Sequence, residues 1–250
     1  MTAVADIAGR KTFPARFKWG VTGSLALVGV IVLTALGVWQ LERRVWKLDL
    51  IDQVERRVHA APEPAPGPSL WPRINAANDA YRRVGVTGHF LGAPQTLVRA
   101  VTELGAGYWV LAPFRARDGF TVLINRGFVP ADAAAQDFRG LTDGEITLTG
   151  LLRITEPGGG FLRHNDPAHE RWYSRDVCAI VATRGIDAAA PYFIDADASA
   201  NPSALPVGGL TVIAFPNNHL VYALTWFGLA VMLAGWLFYL IRLEWRHSPV

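Results

Sequence analysis

From His219 to Ile241 the chain reads HLVYALTWFGLAVMLAGWLFYLI, about 23 residues with no lysine, arginine, aspartate or glutamate. Such a run leaves few folds open, because in hydrocarbon every backbone polar group must be paired internally and a lone helix achieves this. Crossing the bilayer takes roughly 20 apolar residues, so the run can span with some tilt. Trp19 to Leu41, WGVTGSLALVGVIVLTALGVWQL, is a second run of the same character. It is too long for the apolar part of a signal peptide. It continues into Glu42-Arg43-Arg44 with no small-residue cleavage pattern, so it reads as an uncleaved anchor. Core helices of soluble domains rarely stay uncharged for so long. The residues between the runs are polar enough to fold in water. The organisation expected is an N-terminal tail over residues 1–18, a span over 19–41, a soluble domain over 42–218, a span over 219–241 and a C-terminal tail over 242–250.

Two spans put both tails on one side of the membrane, and the flanking charges say which. Arg10, Lys11, Arg16 and Lys18 precede the first span against a single acid, Asp6; Arg242 and Arg246 follow the second. No charged residue lies between Asp197 and Arg242. The positive-inside bias places the tails in the cytoplasm of a bacterium or the matrix of a mitochondrion. Arg43, Arg44 and Lys47 oppose that assignment, but Glu42, Asp49 and Asp52 are interleaved with them. The domain then faces the periplasm at a bacterial inner membrane, or the intermembrane space at the mitochondrial one. The sequence pI of about 9.2 arises partly from these flanks, so it does not indicate a nucleic-acid partner. Cys178 is the one cysteine, which excludes an intramolecular disulfide, thiol–disulfide chemistry and covalent c-type haem. With two methionines in all, soft sulfur sites for copper are excluded too.

Apolar Val45, Leu48, Ile51, Val54 and Val58 recur at helical spacing, so the first span is expected to continue as an amphipathic helix to about residue 60. The proline-rich stretch APEPAPGPS (61–69) then breaks it. YRRVGVTGHFL, QTLVRAV, YWVLAPFRA, FTVLINRGFVP, EITLTGLLRI, YFIDAD and LTVIAFP read as strands, and WYSRDVCAIVATR (172–184) as a helix. The expected fold class is an α+β membrane protein: two transmembrane helices flanking an outer domain with an antiparallel, barrel-like β-sheet and a few helices.

Catalytic signatures are missing. There is no GxSxG, HExxH, Walker loop or GxGxxG after a strand, so the chain does not read as an enzyme. His59, His89, His164 and His169 lack the mutual spacing of a metal site, and His164-x4-His169 falls in a loop with too few partner ligands for zinc. Asn125-Arg126-Gly127 reads as a turn between FTVLI and FVP, with Gly127 at positive φ. His219 opens the second span after Pro216-Asn217-Asn218, where Asn218 is a suitable N-cap. Tyr222, Ala223 and Trp226 follow at three, four and seven residues and share its face. An imidazole above an aromatic-lined slot suits an amphiphilic macrocycle with an iron to ligate. An interfacial histidine in an aromatic belt has the same pattern, and the residues alone leave both readings open.

Four ordered motifs carry a family resemblance. Gly37-Val38-Trp39-Gln40-Leu41-Glu42-Arg43-Arg44-Val45-Trp46-Lys47 resembles the close of the first span in the Surfeit-locus-1 family. Asn125-Arg126-Gly127-Phe128-Val129-Pro130 resembles its central NRGWVP-type element, with Phe128 where the family often has tryptophan. Asn165-Asp166-Pro167 with Trp172-Tyr173 resembles its N-x-P…W segment, and Pro216 to Phe227 its closing motif. The resemblance runs from about residue 19 to 245. It implies an assembly factor for haem-copper cytochrome c oxidase that acts on subunit I, with haem a as a transiently bound cofactor. It further implies that His219 ligates the haem iron; Tyr222 and Trp226, which share its helix face, would then line the site. Arg43 and Arg44 are then candidates to meet the propionates, since arginine pairs with carboxylates through charge-assisted hydrogen bonds. Subunit I and membrane lipid are the expected partners, and haem a synthase is a further candidate. The alternative within the resemblance is a structural scaffold that holds subunit I without touching haem.

Overall fold

The computed structural model describes residues 15–92, 94–134, 144–160, 162–198, 205–211 and 215–247. It divides into a helical unit, made by the chain up to Ile51 and from Phe215 onward, and a sheet unit over Asp52–Ala214.

The helical unit is built from α1 (Ala15–His59) and α4 (His219–His247), both long and apolar enough to cross a membrane. The expected continuation of the first span is present, since α1 runs without a break to His59. In the sheet unit its last turns are held where Arg57 donates to the carbonyls of Ala77 (2.7 Å) and Ala80 (3.3 Å).

A single helical turn, α2 (Ala76–Asp79), precedes the second strand, and β7 (Gly159–Gly160) pairs with β8 (Arg163–His164) in a small sheet of its own. Strands β1 (Glu63–Pro64), β2 (Arg83–Phe90), β3 (Thr96–Thr102), β4 (Gly105–Ala116), β5 (Thr121–Pro130), β6 (Ile146–Ile154) and β9 (Ala189–Ala196) form one seven-stranded sheet. Its order is β1-β2-β6-β9-β5-β4-β3, and β2 also pairs with β4, closing β2, β6, β9, β5 and β4 into a ring. The sheet is mixed, which corrects the antiparallel expectation. β5 and β9 run parallel, as do β1 and β2. The reason is topological. Five strands in a ring cannot alternate direction all the way round, so one neighbouring pair must be parallel. The connection from β5 to β9 passes through β6 and α3 (Val177–Arg184), which gives the chain the crossover that a parallel pair requires.

The ring interior is filled by Val84, Val86, Phe114, Val122, Ile124, Leu152, Tyr192 and Ile194. Tyr192 gives its hydroxyl hydrogen to the Pro66 carbonyl at 2.8 Å, and burial pushes that hydroxyl well above the ordinary tyrosine value. Outside the ring, Leu111, Leu123 and Phe193 meet Trp172, Val177 and Ile180 in a second core under α3. Strands β4, β5 and β9 are thus buried on both faces, which is why WVLAPF, TVLI and YFI are apolar without alternation.

Two local expectations are corrected. The helix expected over 172–184 occupies only Val177–Arg184, because Asp176 caps it by accepting from Ala179 N at 3.1 Å. Trp172 lies in a bridge with Val98, and its side chain is fully buried. Asn125-Arg126-Gly127 is not a turn. It lies inside the continuous strand β5, where the pairing with β4 shifts by one residue between Trp109 and Leu111. Such a bulge bends a strand while keeping it in the sheet. LTVIAFP forms no strand at Leu210 and Thr211, and residues 212–214 lie outside the described residues.

Candidate functional site

The two long helices pack antiparallel along a stripe of small residues on α1. Ala26 is buried, and Gly23, Gly29 and Gly37 face Leu237, Leu233 and Phe227 of α4. A Cβ at position 37 would come within 2.5 Å of the Phe227 ring, so the ring lies where only glycine leaves room. On α4 the buried small residues are Ala223 and Ala230, while Tyr222, Leu224, Val231 and Met232 point outward. Close backbone approach across small residues is how helices associate where apolar burial supplies no drive.

At one end of this stripe the packing turns polar. His219 Nδ1 lies 2.7 Å from Gln40 Oε1. The amide oxygen can only accept, so in the neutral ring Nδ1 carries the hydrogen and Nε2 keeps its lone pair. Nε2 has no protein hydrogen-bond partner among the described residues, and it is not among the fully buried polar atoms. Ala223 is 1% exposed against α1, Trp226 is half-buried, and Tyr222 is 55% exposed on the outward side. His219, Ala223 and Trp226 therefore share the side of α4 that meets α1, and Tyr222 stands beside it.

The two arginines part company. Arg44 sits one turn beyond Gln40 on the same side of α1 and is half-buried. Arg43 is exposed and lays its guanidinium 3.9 Å over the Trp46 ring. Lys47, two turns beyond Gln40, is half-buried on the Arg44 side, with Nζ 5.6 Å from the centre of the Phe215 ring. Gln40 and Lys47 were missed by sequence reasoning. Gln40 had a signal: it is the one amide within 19–41, and a polar group among lipid tails ordinarily has a helix partner.

The sheet unit holds a second polar cluster, centred on Asp195, which is 4% exposed. Its carboxylate accepts from Asn125 Nδ2 (2.7 Å), Arg153 (2.8 Å), Thr211 (3.0 Å) and Arg175 (3.3 Å). Arg175 also forks onto Glu156 at 2.6 and 3.1 Å. Burial alone would raise the Glu156 carboxyl, but the Arg175 hydrogen bonds and charge outweigh it and hold Glu156 below the usual carboxylate range. Asn125 Oδ1 accepts from Gly127 N at 3.2 Å, so the cluster pins the bulge. Next in the bulge, Arg126 stacks 5.0 Å from the Phe90 ring, and burial lowers its pKa. His169 pairs with Asp166 at 2.8 Å, and among the described residues no group of three or more His, Cys, Asp or Glu converges on one point.

The SURF1 family profile matches residues 27–231, from within the first span to within the second. Surfeit locus protein 1 of Rattus norvegicus is 38% identical over 212 residues, covering 78% of this chain and 67% of the relative. The Homo sapiens protein of that name is 37% identical over 214 residues, covering 78% and 69%. A SURF1-like protein of Monosiga brevicollis is 37% identical over 230 residues, with 85% of each chain covered.

The chain belongs to the SURF1 family.

Within this SURF1-family chain, the four motifs that carried the resemblance fall into two places. The first and last motifs meet in the helical unit, through Gln40 with His219 and Gly37 with Phe227. The two central motifs lie in the sheet unit. There Asn165 accepts from the backbone N–H of Tyr173 (2.8 Å) and of Ser174 (3.2 Å), and Asn125 joins the Asp195 cluster. The central pair therefore organises the fold of the sheet unit, while the outer pair joins the two long helices and leaves His219 Nε2 without a protein partner among the described residues.

Proposed function

We propose that this SURF1-family member is an assembly factor for haem-copper cytochrome c oxidase that holds haem a at His219 and assists its insertion into subunit I. Family membership supports the coarse role in oxidase assembly. The haem reading rests on one observation, the His219 imidazole whose Nδ1 is tied to Gln40 and whose Nε2 is left available.

The residues present fit such a cargo. A neutral imidazole nitrogen is an ordinary axial donor to haem iron. Ala223 and Trp226 give the adjoining surface small and flat apolar walls, and exposed Tyr222 borders it on the lipid side. Arg44 stands one turn away on the Gln40 side, suited to a propionate. Arg43, turned onto Trp46, is the weaker of the two arginine candidates, and Lys47 joins Arg44 in its place. In this reading the chain carries out no reaction of its own. A single nitrogen ligand in an open setting releases what it holds, as a carrier must. The membrane is then the bacterial inner membrane or its mitochondrial counterpart, with the sheet unit in the periplasm or intermembrane space.

The test is purification of the full chain from cells that make haem a, with the absorption spectrum recorded. Wild type should carry a Soret band. His219→Ala should lose haem or show a shifted band while the protein still accumulates, since a half-buried imidazole contributes little packing. Oxidase activity in the host should fall without vanishing. A His219→Ala protein with wild-type haem content and spectrum would overturn the ligand assignment, and a wild-type protein purified without haem would leave the scaffold role.

A further inference from the structure

Gln40 places an amide at the end of the apolar run of α1, two residues before Glu42, where an unpaired polar group facing a partner helix is costly. Thr34 and Thr225 give their hydroxyl hydrogens to their own helices, to the Val30 carbonyl at 2.8 Å and to the Val221 carbonyl at 2.9 Å. Gln40 instead reaches across to α4 and takes Nδ1 of His219 at 2.7 Å. Among the described residues this is the one side-chain hydrogen bond between the two spans.

We propose that Gln40 is a positioning residue for His219: by accepting from Nδ1–H it fixes the tautomer and ring orientation that leave Nε2 as the sole ligating atom, and it tunes how strongly that atom donates. This rests on the haem reading above. Gln40 is not itself a ligand. The histidine of a free peptide ordinarily prefers its hydrogen on Nε2, which would block ligation through that atom. An acceptor on Nδ1 reverses the preference, and at metal sites such a partner fixes the ring and raises its basicity. The first span becomes half of the site, even though the ligand lies on the second. It also follows that the pairing of α1 with α4 along Gly37 and Phe227 sets the position of the acceptor.

A plain interhelical tie predicts different behaviour, because any bond that holds the helices together would serve. Full-length wild type, Gln40→Leu and Gln40→Glu separate the two. In the haem-free protein labelled with nitrogen-15 histidine, wild type and Gln40→Glu should show His219 with its hydrogen on Nδ1, and Gln40→Leu should shift it to Nε2. In protein loaded with haem, Gln40→Leu should weaken binding about 10- to 100-fold, the usual loss when such a partner is removed. The reduction potential should move in opposite directions, lower in Gln40→Glu because a stronger acceptor favours ferric iron, and higher in Gln40→Leu. A structural tie would move stability without that opposed pair of shifts. Gln40→Glu preserves an acceptor of the same size, so the potential remains readable if the leucine variant fails to accumulate. Unchanged tautomer and potential across the series overturn the proposal. A wild-type protein that takes up no haem defeats the haem reading instead, and the tautomer measurement still decides the Gln40 contact on its own.

Discussion

At Gly127 the backbone stands at φ 130°, and a Cβ there would lie 2.3 Å from the Val207 carbonyl. Both facts demand glycine, one through conformation and the other through space. Gly127→Val should therefore destabilise the sheet unit by on the order of 2–6 kcal/mol, from positive-φ strain and overpacking together. Arg126→Ala should cost less, since it removes a stack on Phe90 worth about 0.5–2 kcal/mol and adds no clash. Urea midpoints of the two variants check this, and a larger loss for Arg126→Ala would refute the division. The Asp195 cluster adds a pH dependence. Glu156 is held below its ordinary value by Arg175, so the unfolded chain binds its proton more readily than the folded one. The stability it contributes is present above the unfolded pKa and is lost as pH falls through the depressed folded value. Glu156→Gln should lower the melting temperature near neutral pH and flatten its decline in acid. A parallel decline in wild type and variant would show that Glu156 is not the titrating group.

At the scale of elements, the strands and their barrel-like closure were legible because strand composition is local, whereas the direction of each neighbour was not. Val, Ile and aromatic runs between Gly and Pro mark each strand, but nothing in a run says whether its neighbour in the ring is parallel. That follows only from the count of five, which pairing between distant segments decides. The 172–184 helix was overextended because Trp172 and Tyr173 suit either state, and the cap at Asp176 settled it. The spans were legible from length alone. Their mutual register was not, since it depends on which glycine faces which ring. His219 was readable as a candidate, but its partner Gln40 lies 179 residues away in sequence and became visible only when the two spans were paired. The register has its own test. Gly37→Ile would drive a side chain into Phe227 and should destabilise the helix pair in detergent by roughly 1–3 kcal/mol of overpacking, read as a lowered melting temperature. Gly228→Ala, where no atom lies within 4 Å of the new Cβ, should be neutral or slightly stabilising. If the two variants melt alike, the pairing of α1 with α4 through Gly37 is wrong.

For the whole molecule, the arrangement of charge along the chain carries an argument that packing does not. A chain that crosses twice returns to its starting side, so on that topology the segments before α1 and after α4 share a compartment. Arg10, Lys11, Arg16 and Lys18 on one flank, and Arg242 and Arg246 on the other, favour the compartment that retains positive charge. Arg43, Arg44 and Lys47 at the other end of the first span are offset in sequence by Glu42 and Asp49, and Arg44 and Lys47 are half-buried on the Gln40 side of α1. On the haem reading those cations would meet propionates, a use that the tail cations lack. The consequence is a sidedness that a reporter can read. Alkaline phosphatase inserted between Asp118 and Gly119, in the exposed turn joining β4 to β5, should be active because the enzyme matures only outside the cytoplasm. The same reporter fused after Val250 should be inactive. Exchanging Arg242 and Arg246 for glutamine weakens the retention signal of the second span alone, so it should raise C-terminal reporter activity in a fraction of molecules while the internal reporter stays active. Acidic residues contribute little to this rule, so Glu42→Gln should leave both reporters unchanged. An active C-terminal fusion in the wild-type chain would reverse the orientation and move the sheet unit, with Arg44 and His219 beside it in sequence, to the cytoplasmic face.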